Sequence, residues 1–156
     1  MNLPAFPKSL AALIAALPAW PPSKVFTGVG NRLVWPTLSD LDWSNAQGRR
    51  FCVKVKDLGL SFYFSVGAHG FHAEREPRAD VTFTATALDY ARLALRVEDP
   101  DTLFFNRRLL IEGDTDLGLT VKNLLDGVEW ETVTARLPLG LGRLADRARE
   151  RALHHA

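Results

Sequence analysis

The sequence has little cysteine, little net charge and no long apolar run. Its one cysteine, Cys52, excludes an intramolecular disulfide framework and a cysteine-based structural zinc site, and it fits a reducing compartment. A formal net charge of +1 argues against a broad basic surface for nucleic acid. The apolar run Leu10–Leu17 is far shorter than the roughly 20 residues of a membrane-spanning helix. These absences, in a chain of 156 residues, leave an ordinary single-domain globular protein.

Residues that could carry catalysis or bind metal are scattered along the chain. His69 and His72 lack a further Cys, Asp or Glu at a recognised metal-ligand spacing. The acidic stretch 112–116 lacks the ligand alternation of a calcium loop, so we interpret it as a helix cap. No serine or cysteine lies in a nucleophile motif. The sequence therefore predicts no enzyme, no metal and no cofactor, with Tyr63, Tyr90 and His72 as loose candidates for a small hydrolase or transferase.

The amino-terminal part carries two apolar stretches. Residues 8–17 predict a short helix that ends at Pro18, because the run lacks the basic start of a cleaved secretory signal. Its apolar face would lie on the domain, on a membrane surface or on a partner. Residues 25–34 also suggest a helical face, although Gly28 and Gly30 weaken that interpretation.

From Arg49 onward the apolar residues recur at every second position. This alternation predicts four short strands within 51–85, separated by turns at 57–59 and 67–70. We expect an antiparallel meander with one buried face and one solvated face. The phenylalanines that alternation places on the buried face are Phe51, Phe62, Phe64, Phe71 and Phe83.

Helical periodicity replaces the alternation after Ala85. We predict helices over 87–97 and 115–128, separated by a turn at 99–101 and a fifth strand over 108–112. Thr86 is the expected cap of the first helix, and Asp114 or Thr115 of the second. A carboxy-terminal helix from Leu141 sets an apolar stripe opposite a basic one. Its apolar positions are Leu141, Leu144, Ala148 and Ala152, and its basic positions are Arg143, Arg147, Arg149 and Arg151.

The order of elements predicts an α+β fold in which a five-stranded, mainly antiparallel sheet is covered on one face by helices. Within it, residues 99–119 read DPDTLFFNRRLLIEGDTDLGL. This stretch, continuing through residues 121–126, resembles the signature of the bacterial sterol-carrier-protein-2-like family, and the layout of 51–97 is similar. The resemblance implies a sheet and helices that enclose an apolar tunnel, with no catalytic residue. It also implies binding of sterols, fatty acids, phospholipids or prenyl chains.

The resemblance is strongest to a branch that serves oxygen-independent ubiquinone biosynthesis. It implies a non-catalytic carrier of an isoprenoid quinone intermediate or a phospholipid. The implied partners are ubiquinone-biosynthesis enzymes, including iron–sulfur hydroxylase subunits, and a transient membrane surface. The implied location is cytoplasmic or peripheral on the inner membrane. The alternative is a scaffold that organises the same enzymes without bound lipid, since a filled core and a lipid tunnel have the same apolar pattern.

The predicted organisation is an amino-terminal helix and proline-rich linker over 1–24, a lipid-binding domain over 25–135 and a basic amphipathic helix over 136–156. One of the adjacent Phe104 and Phe105 would line the cavity mouth or meet the membrane, since a regular element cannot bury both. Asn106, Arg107 and Arg108 would bind a lipid phosphate or form salt bridges with Asp101 or Glu112. The predicted lipid-binding residues are Phe51, Val53, Phe62, Phe64, Val81, Phe83, Leu88, Leu95, Leu103, Phe104, Phe105, Leu117, Val121 and Leu124.

Overall fold

The computed structural model describes residues 12–13, 16, 18–138 and 140–154. Most of the helix predicted over residues 8–17 lies outside the described residues. The described helices are α1 (Trp20–Leu33), α2 (Trp35–Leu38), α3 (Ala87–Ala94), α4 (Pro100–Phe105), α5 (Thr115–Asp126), α6 (Trp130–Thr134) and α7 (Leu141–His154). The strands are β1 (Arg50–Val55), β2 (Leu60–Gly67), β3 (Gly70–Ala73), β4 (Val81–Ala85) and β5 (Leu110–Gly113).

Side-chain caps start three of the helices. The Thr86 hydroxyl accepts from the Asp89 amide at the start of α3, and the Asp114 carboxylate does the same for α5, as predicted. Asp99 caps α4 in the same way and is followed by proline at the first helical position. The prediction of a plain turn at 99–101 was therefore wrong, because Asp99 and Pro100 together begin a new helix.

Helix α1 begins within the proline-rich stretch that was predicted to be a linker. Proline is tolerated in the first turn because the amides there have no partner within the helix. The helix consequently runs across the predicted boundary between residues 24 and 25.

The strands form one mixed sheet in the order β3-β2-β1-β4-β5. β1 and β4 are parallel, with Phe51 opposite Val81, whereas the other three pairings are antiparallel. The expected four-strand meander was wrong at this point, because β4 lies beside β1 instead of β3. Alternation reports which residues share a face of a strand but not which strand lies next to it.

Charged side chains hold the crossover that places β4 beside β1. The Asp80 carboxylate accepts from the Arg50 amide at 2.8 Å, and Arg49 lies 3.2 Å from Asp80 and 2.8 Å from Asp114. The pKa of Asp80 is lowered mainly by the hydrogen bond from the Arg50 amide, and the Arg49 guanidinium lowers it further. Gly113 completes the junction at φ +89°, where a Cβ atom would lie 2.2 Å from the Asp80 carbonyl oxygen. This position therefore requires glycine.

Helix α1 packs across β2 and β3 and satisfies free backbone groups on them. The Asn31 side chain accepts from the Phe71 amide at 2.7 Å and donates to the Phe71 carbonyl oxygen at 2.8 Å. The Ser23 hydroxyl accepts from the Tyr63 amide at 2.8 Å. The two Asn31 bonds occupy main-chain groups of β3 that would otherwise be open to another strand, and the Ser23 bond occupies a main-chain amide of β2.

Candidate functional site

The predicted sheet residues share one face, as alternation indicated. The register places Phe51 opposite Phe64 and Val81, and Val53 opposite Phe62 and Phe83. Phe51, Phe64 and Val81 are buried, and Val53 and Phe83 are partly buried and pack against them. Phe62 is also partly buried. We call these six residues the phenylalanine face.

Side chains of α1, α2 and the following loop cover this face. Phe26 of α1 stacks on Phe62 with ring centroids 4.8 Å apart and lies 5.5 Å from Phe64. Trp35 and Trp43 contact Phe71 edge-on, at 5.2 and 6.4 Å. The protein's own aromatic rings therefore occupy the space between these elements and the sheet.

The two helices predicted to flank a tunnel have different positions. Leu117 and Val121 of α5 are buried in the cluster on the phenylalanine face, with Leu124 packed against it. α3 contributes instead to a smaller cluster, in which Tyr90 and Leu93 pack around three buried residues. Those buried residues are Ala85, Leu103 and Leu109.

Five of the predicted lipid-binding residues lie away from the buried cluster on the phenylalanine face, and one of them, Leu103, is buried in the smaller cluster. Leu88 and Phe105 are exposed, the latter at 78%, and Leu95 and Phe104 are partly buried. One of the two adjacent phenylalanines thus faces solvent, as the sequence required.

Two concavities flank helix α6. One, of about 220 Å³, lies between α2 and the end of α5 and is lined by Thr37, Leu41, Gly127, Val128, Glu129 and Thr132. The other, of about 290 Å³, lies between α6 and α7 and includes the charged residues Glu131, Arg143 and Asp146 in its lining. Neither lining includes a residue of the phenylalanine face. We call the first the Val128 concavity.

Arg108 of the motif forms ion pairs with residues other than those predicted. Arg108 bonds to Asp89 and, at 2.7 Å, to Glu98. These bonds lower the pKa of Glu98 and raise that of Arg108. The partners predicted for the motif arginines, Asp101 and Glu112, do not pair with Arg108. Asp101 instead pairs with Lys122, which is buried on α5.

The residues considered for enzymatic chemistry are either bonded to the backbone, buried, or exposed on a strand. The Tyr90 hydroxyl donates to the Phe83 carbonyl oxygen at 2.9 Å, and burial raises its pKa. Burial likewise raises the pKa of the Cys52 thiol, which disfavours the reactive thiolate. His72 is exposed on β3. Within the described residues, no group of three His, Cys, Asp or Glu could hold a metal ion, and no helix is long and apolar enough to cross a membrane.

Comparison with known families decides the classification. The profile of the SCP-2 sterol transfer family matches residues 39–126, more than half of the chain. The chain belongs to the SCP-2 sterol transfer family. The matched region contains all five strands and helices α3 to α5, so the family core is the sheet together with these helices. Helices α1, α2, α6 and α7 lie outside the matched region.

Individual relatives agree with the family. The chain is 44% identical over 109 residues to the ubiquinone biosynthesis accessory factor UbiT of Escherichia coli K12, and equally to UbiT of E. coli O157:H7. The alignment covers 70% of this chain and 63% of each relative, so it spans less than two thirds of their length. Among solved structures, a UbiJ-SCP2 ubiquinone synthesis protein superposes with a TM-score of 0.52 at 20% identity. That superposition covers 69% of this chain and 95% of the other, and it supports the SCP-2 fold.

Sequence reasoning missed three residues that shape this SCP-2 domain. Phe26 covers the sheet, Asn31 occupies the main chain of β3, and Thr37 lines the Val128 concavity. The helical spacing of residues 25–34 was a usable signal for Phe26. No local pattern marks Asn31 or Thr37, because the residues near which they lie, Phe71 and Val128, are distant in sequence.

Proposed function

We propose that this chain is a non-catalytic accessory protein of ubiquinone biosynthesis that holds an isoprenoid quinone intermediate or a membrane phospholipid. The observation that carries the proposal is the 44% identity to UbiT accessory factors, within an SCP-2 domain that has one continuous apolar sheet face. Burial of apolar surface, at roughly 25 cal/mol per Å², would hold a prenyl or acyl chain with little need for polar groups.

The proposed ligand lies between the phenylalanine face and the helices that cover it. Because aromatic rings occupy that space, the helices and the rings of Phe26 and Phe62 must move to admit a chain. Phe26, which α1 packs against the cluster, is only partly buried, so moving this helix disrupts fewer buried contacts than moving an element of the core. Nine of the predicted lipid-binding residues lie on the sheet face or on α5 and are the proposed contacts of the chain: Phe51, Val53, Phe62, Phe64, Val81, Phe83, Leu117, Val121 and Leu124. The other five, which are Leu88, Leu95, Leu103, Phe104 and Phe105, lie away from this position.

The proposed partners are enzymes of oxygen-independent ubiquinone biosynthesis, including iron–sulfur hydroxylase subunits, and the cytoplasmic surface of the inner membrane. Two charge patterns support membrane contact. Residues 1–39 contain no acidic residue, but they contain three basic ones, Lys8, Lys24 and Arg32. Helix α7 exposes Leu141 and Leu144 at 46% and 56% beside four arginines. A basic amphipathic helix of this kind binds reversibly at an anionic lipid surface.

Native mass spectrometry of the protein purified from its host, followed by lipid extraction, tests the proposal. We expect a fraction of the protein to carry a quinone precursor or a phospholipid that exchanges with added lipid. A uniform ligand-free mass, with no lipid recovered by extraction, would contradict the carrier role.

The packed core favours one alternative, a scaffold that binds the same enzymes without lipid. The two concavities, of about 220 and 290 Å³, are smaller than the roughly 300–1,000 Å³ of a complete small-molecule site. A scaffold would retain its enzyme partners in pull-down experiments after delipidation in detergent. A carrier would no longer support the activity of these enzymes after the same treatment, and adding lipid back would restore that support.

A further inference from the structure

The Val128 concavity borders the buried cluster of the phenylalanine face. Leu41 and Val128, which form its apolar wall, both pack against that cluster. The cleft between α6 and α7 has charged lining residues instead. Of these two openings, the Val128 concavity is therefore the one that offers an apolar chain an apolar wall against the core, with one charged lining residue, Glu129, compared with three in the cleft.

A buried hydroxyl beside this concavity is unsatisfied in hydrogen bonding among the described residues. Thr37 lines the concavity, and its Oγ1 is buried without a hydrogen-bond partner among the described residues. Buried polar atoms are ordinarily bonded, so an unpaired hydroxyl next to an opening suggests a partner supplied by a ligand. Among the described lining residues, the one with a formal charge is Glu129, which disfavours a second negative charge.

Hydrogen bonds from Arg96 fix the backbone at Val128, which forms part of the wall of the concavity. Arg96, at φ +52°, donates to the carbonyl oxygens of Leu125 and Val128 at 2.8 and 2.6 Å and pairs with Asp126. A left-handed backbone at a non-glycine residue is strained and persists where its surroundings demand it. Arg96 thus positions Val128 at the end of α5.

We infer that the Val128 concavity is the entry site for the lipid chain. Thr37 hydrogen-bonds there to an uncharged oxygen at the root of the chain, such as a hydroxyl, an ester carbonyl or a quinone carbonyl. The inference rests on the proposed carrier function. Because the concavity of about 220 Å³ is too small for a whole ligand, it holds the root of the chain while the remainder enters the core.

The first test measures entry. Retinol, a neutral isoprenoid alcohol with its own fluorescence, is titrated into the full chain and excited directly. Val128→Trp fills the concavity and should slow retinol uptake about tenfold, equivalent to 1.4 kcal/mol in the barrier. Ala135→Trp fills the cleft between α6 and α7 and should leave uptake within about twofold. Both variants must melt within a few degrees of the wild-type protein.

The second test separates binding from stability. Thr37→Val removes an unpaired buried hydroxyl, so the ligand-free variant should melt at the same temperature as wild type or higher. Its affinity for retinol should fall about three- to tenfold, the value of one hydrogen bond. Thr84→Val is the matched control, because Thr84 Oγ1 is also buried and unpaired among the described residues but lies on the opposite face of the sheet. It should bind retinol normally.

The outcomes distinguish this inference from the proposed function. Retinol uptake that is unchanged in both Val128→Trp and Thr37→Val, with lipid still recovered from the purified protein, overturns the entry site and leaves the carrier role intact. Tighter binding of retinoic acid than retinol refutes the neutral oxygen. A wild-type protein that takes up no retinol also refutes the entry site, whereas the carrier role is judged separately by the extracted lipid.

Discussion

Phe26 provides the sharpest test of where the lipid chain lies. Truncating a fully buried phenylalanine costs about 3–5 kcal/mol, through lost transfer energy and the cavity left behind. Phe26 is only partly buried but stacks on two other rings, at 4.8 and 5.5 Å. We therefore expect Phe26→Ala to lower the free energy of unfolding by about 2–3 kcal/mol. For a chain of this size the melting temperature should fall by about 5–10 °C.

The same substitution should improve lipid binding if the chain lies between α1 and the sheet. An apolar cavity left by truncation is filled readily by a hydrocarbon, so less rearrangement is needed to admit the ligand. Retinol at ten times its dissociation constant adds about 1.4 kcal/mol to the stability of any protein that binds it in the folded state. At equal retinol concentration, Phe26→Ala should consequently gain more stability than wild type.

Urea unfolding, followed by circular dichroism with and without retinol, measures both effects. Phe105→Ala is the control, since Phe105 is 78% exposed and its loss should change the stability by less than about 0.5 kcal/mol. A loss below 1 kcal/mol in Phe26→Ala would refute the packing argument. The full loss without additional stabilisation by retinol would refute a ligand position beneath α1.

Three further predictions concern the ion-pair network, a strained turn and the membrane surface. Glu98→Gln removes a carboxylate bonded to Arg108 and should cost about 1–2 kcal/mol at pH 7. Because the folded-state pKa of Glu98 is lowered, this stabilisation exists above its ordinary pKa and is lost as the pH falls through the folded value, so the difference measured by urea unfolding should shrink steadily as the pH is lowered below the ordinary pKa. Gly113→Ala combines a positive φ with a main-chain clash and should cost at least about 2 kcal/mol, whereas Gly48→Ala, where a Cβ meets nothing within 4 Å, should cost about 1 kcal/mol; equal losses would contradict the clash. Leu144→Ser should weaken sedimentation with vesicles of phosphatidylglycerol, and salt should weaken it further; unchanged binding would exclude α7 as the contact.

Local patterns predicted most of the elements correctly. Alternation located the strands and assigned the phenylalanines to one face, because the side-chain period of two is a property of each strand alone. Capping residues located the starts of α3 and α5 for the same reason. The error at Asp99-Pro100 arose because a proline turn and a helix start use the same residues, and only the following contacts distinguish them.

The candidate site was less predictable from sequence than the fold. Phe104 and Phe105 stood out in the motif, yet Phe105 faces solvent and Phe104 is only partly buried. Arg108 was a candidate for phosphate binding, yet Asp89 and Glu98 bind it. The charge or apolarity of a side chain limits what it can contact but does not identify its neighbours. The partners of Arg108 lie 10 and 19 residues away in the chain.

The sequence by itself determined an α+β chain with one apolar sheet face and a motif of the SCP-2 type, since these follow from residue identity and spacing. Tertiary structure alone decided that β4 pairs with β1, that Asn31 binds β3 and that the rings of α1 occupy the sheet face. It also placed Thr37 beside Val128, which are 91 positions apart in the chain. Such pairings depend on the balance between packing and loop-closure entropy over the whole chain, and no local window contains that balance.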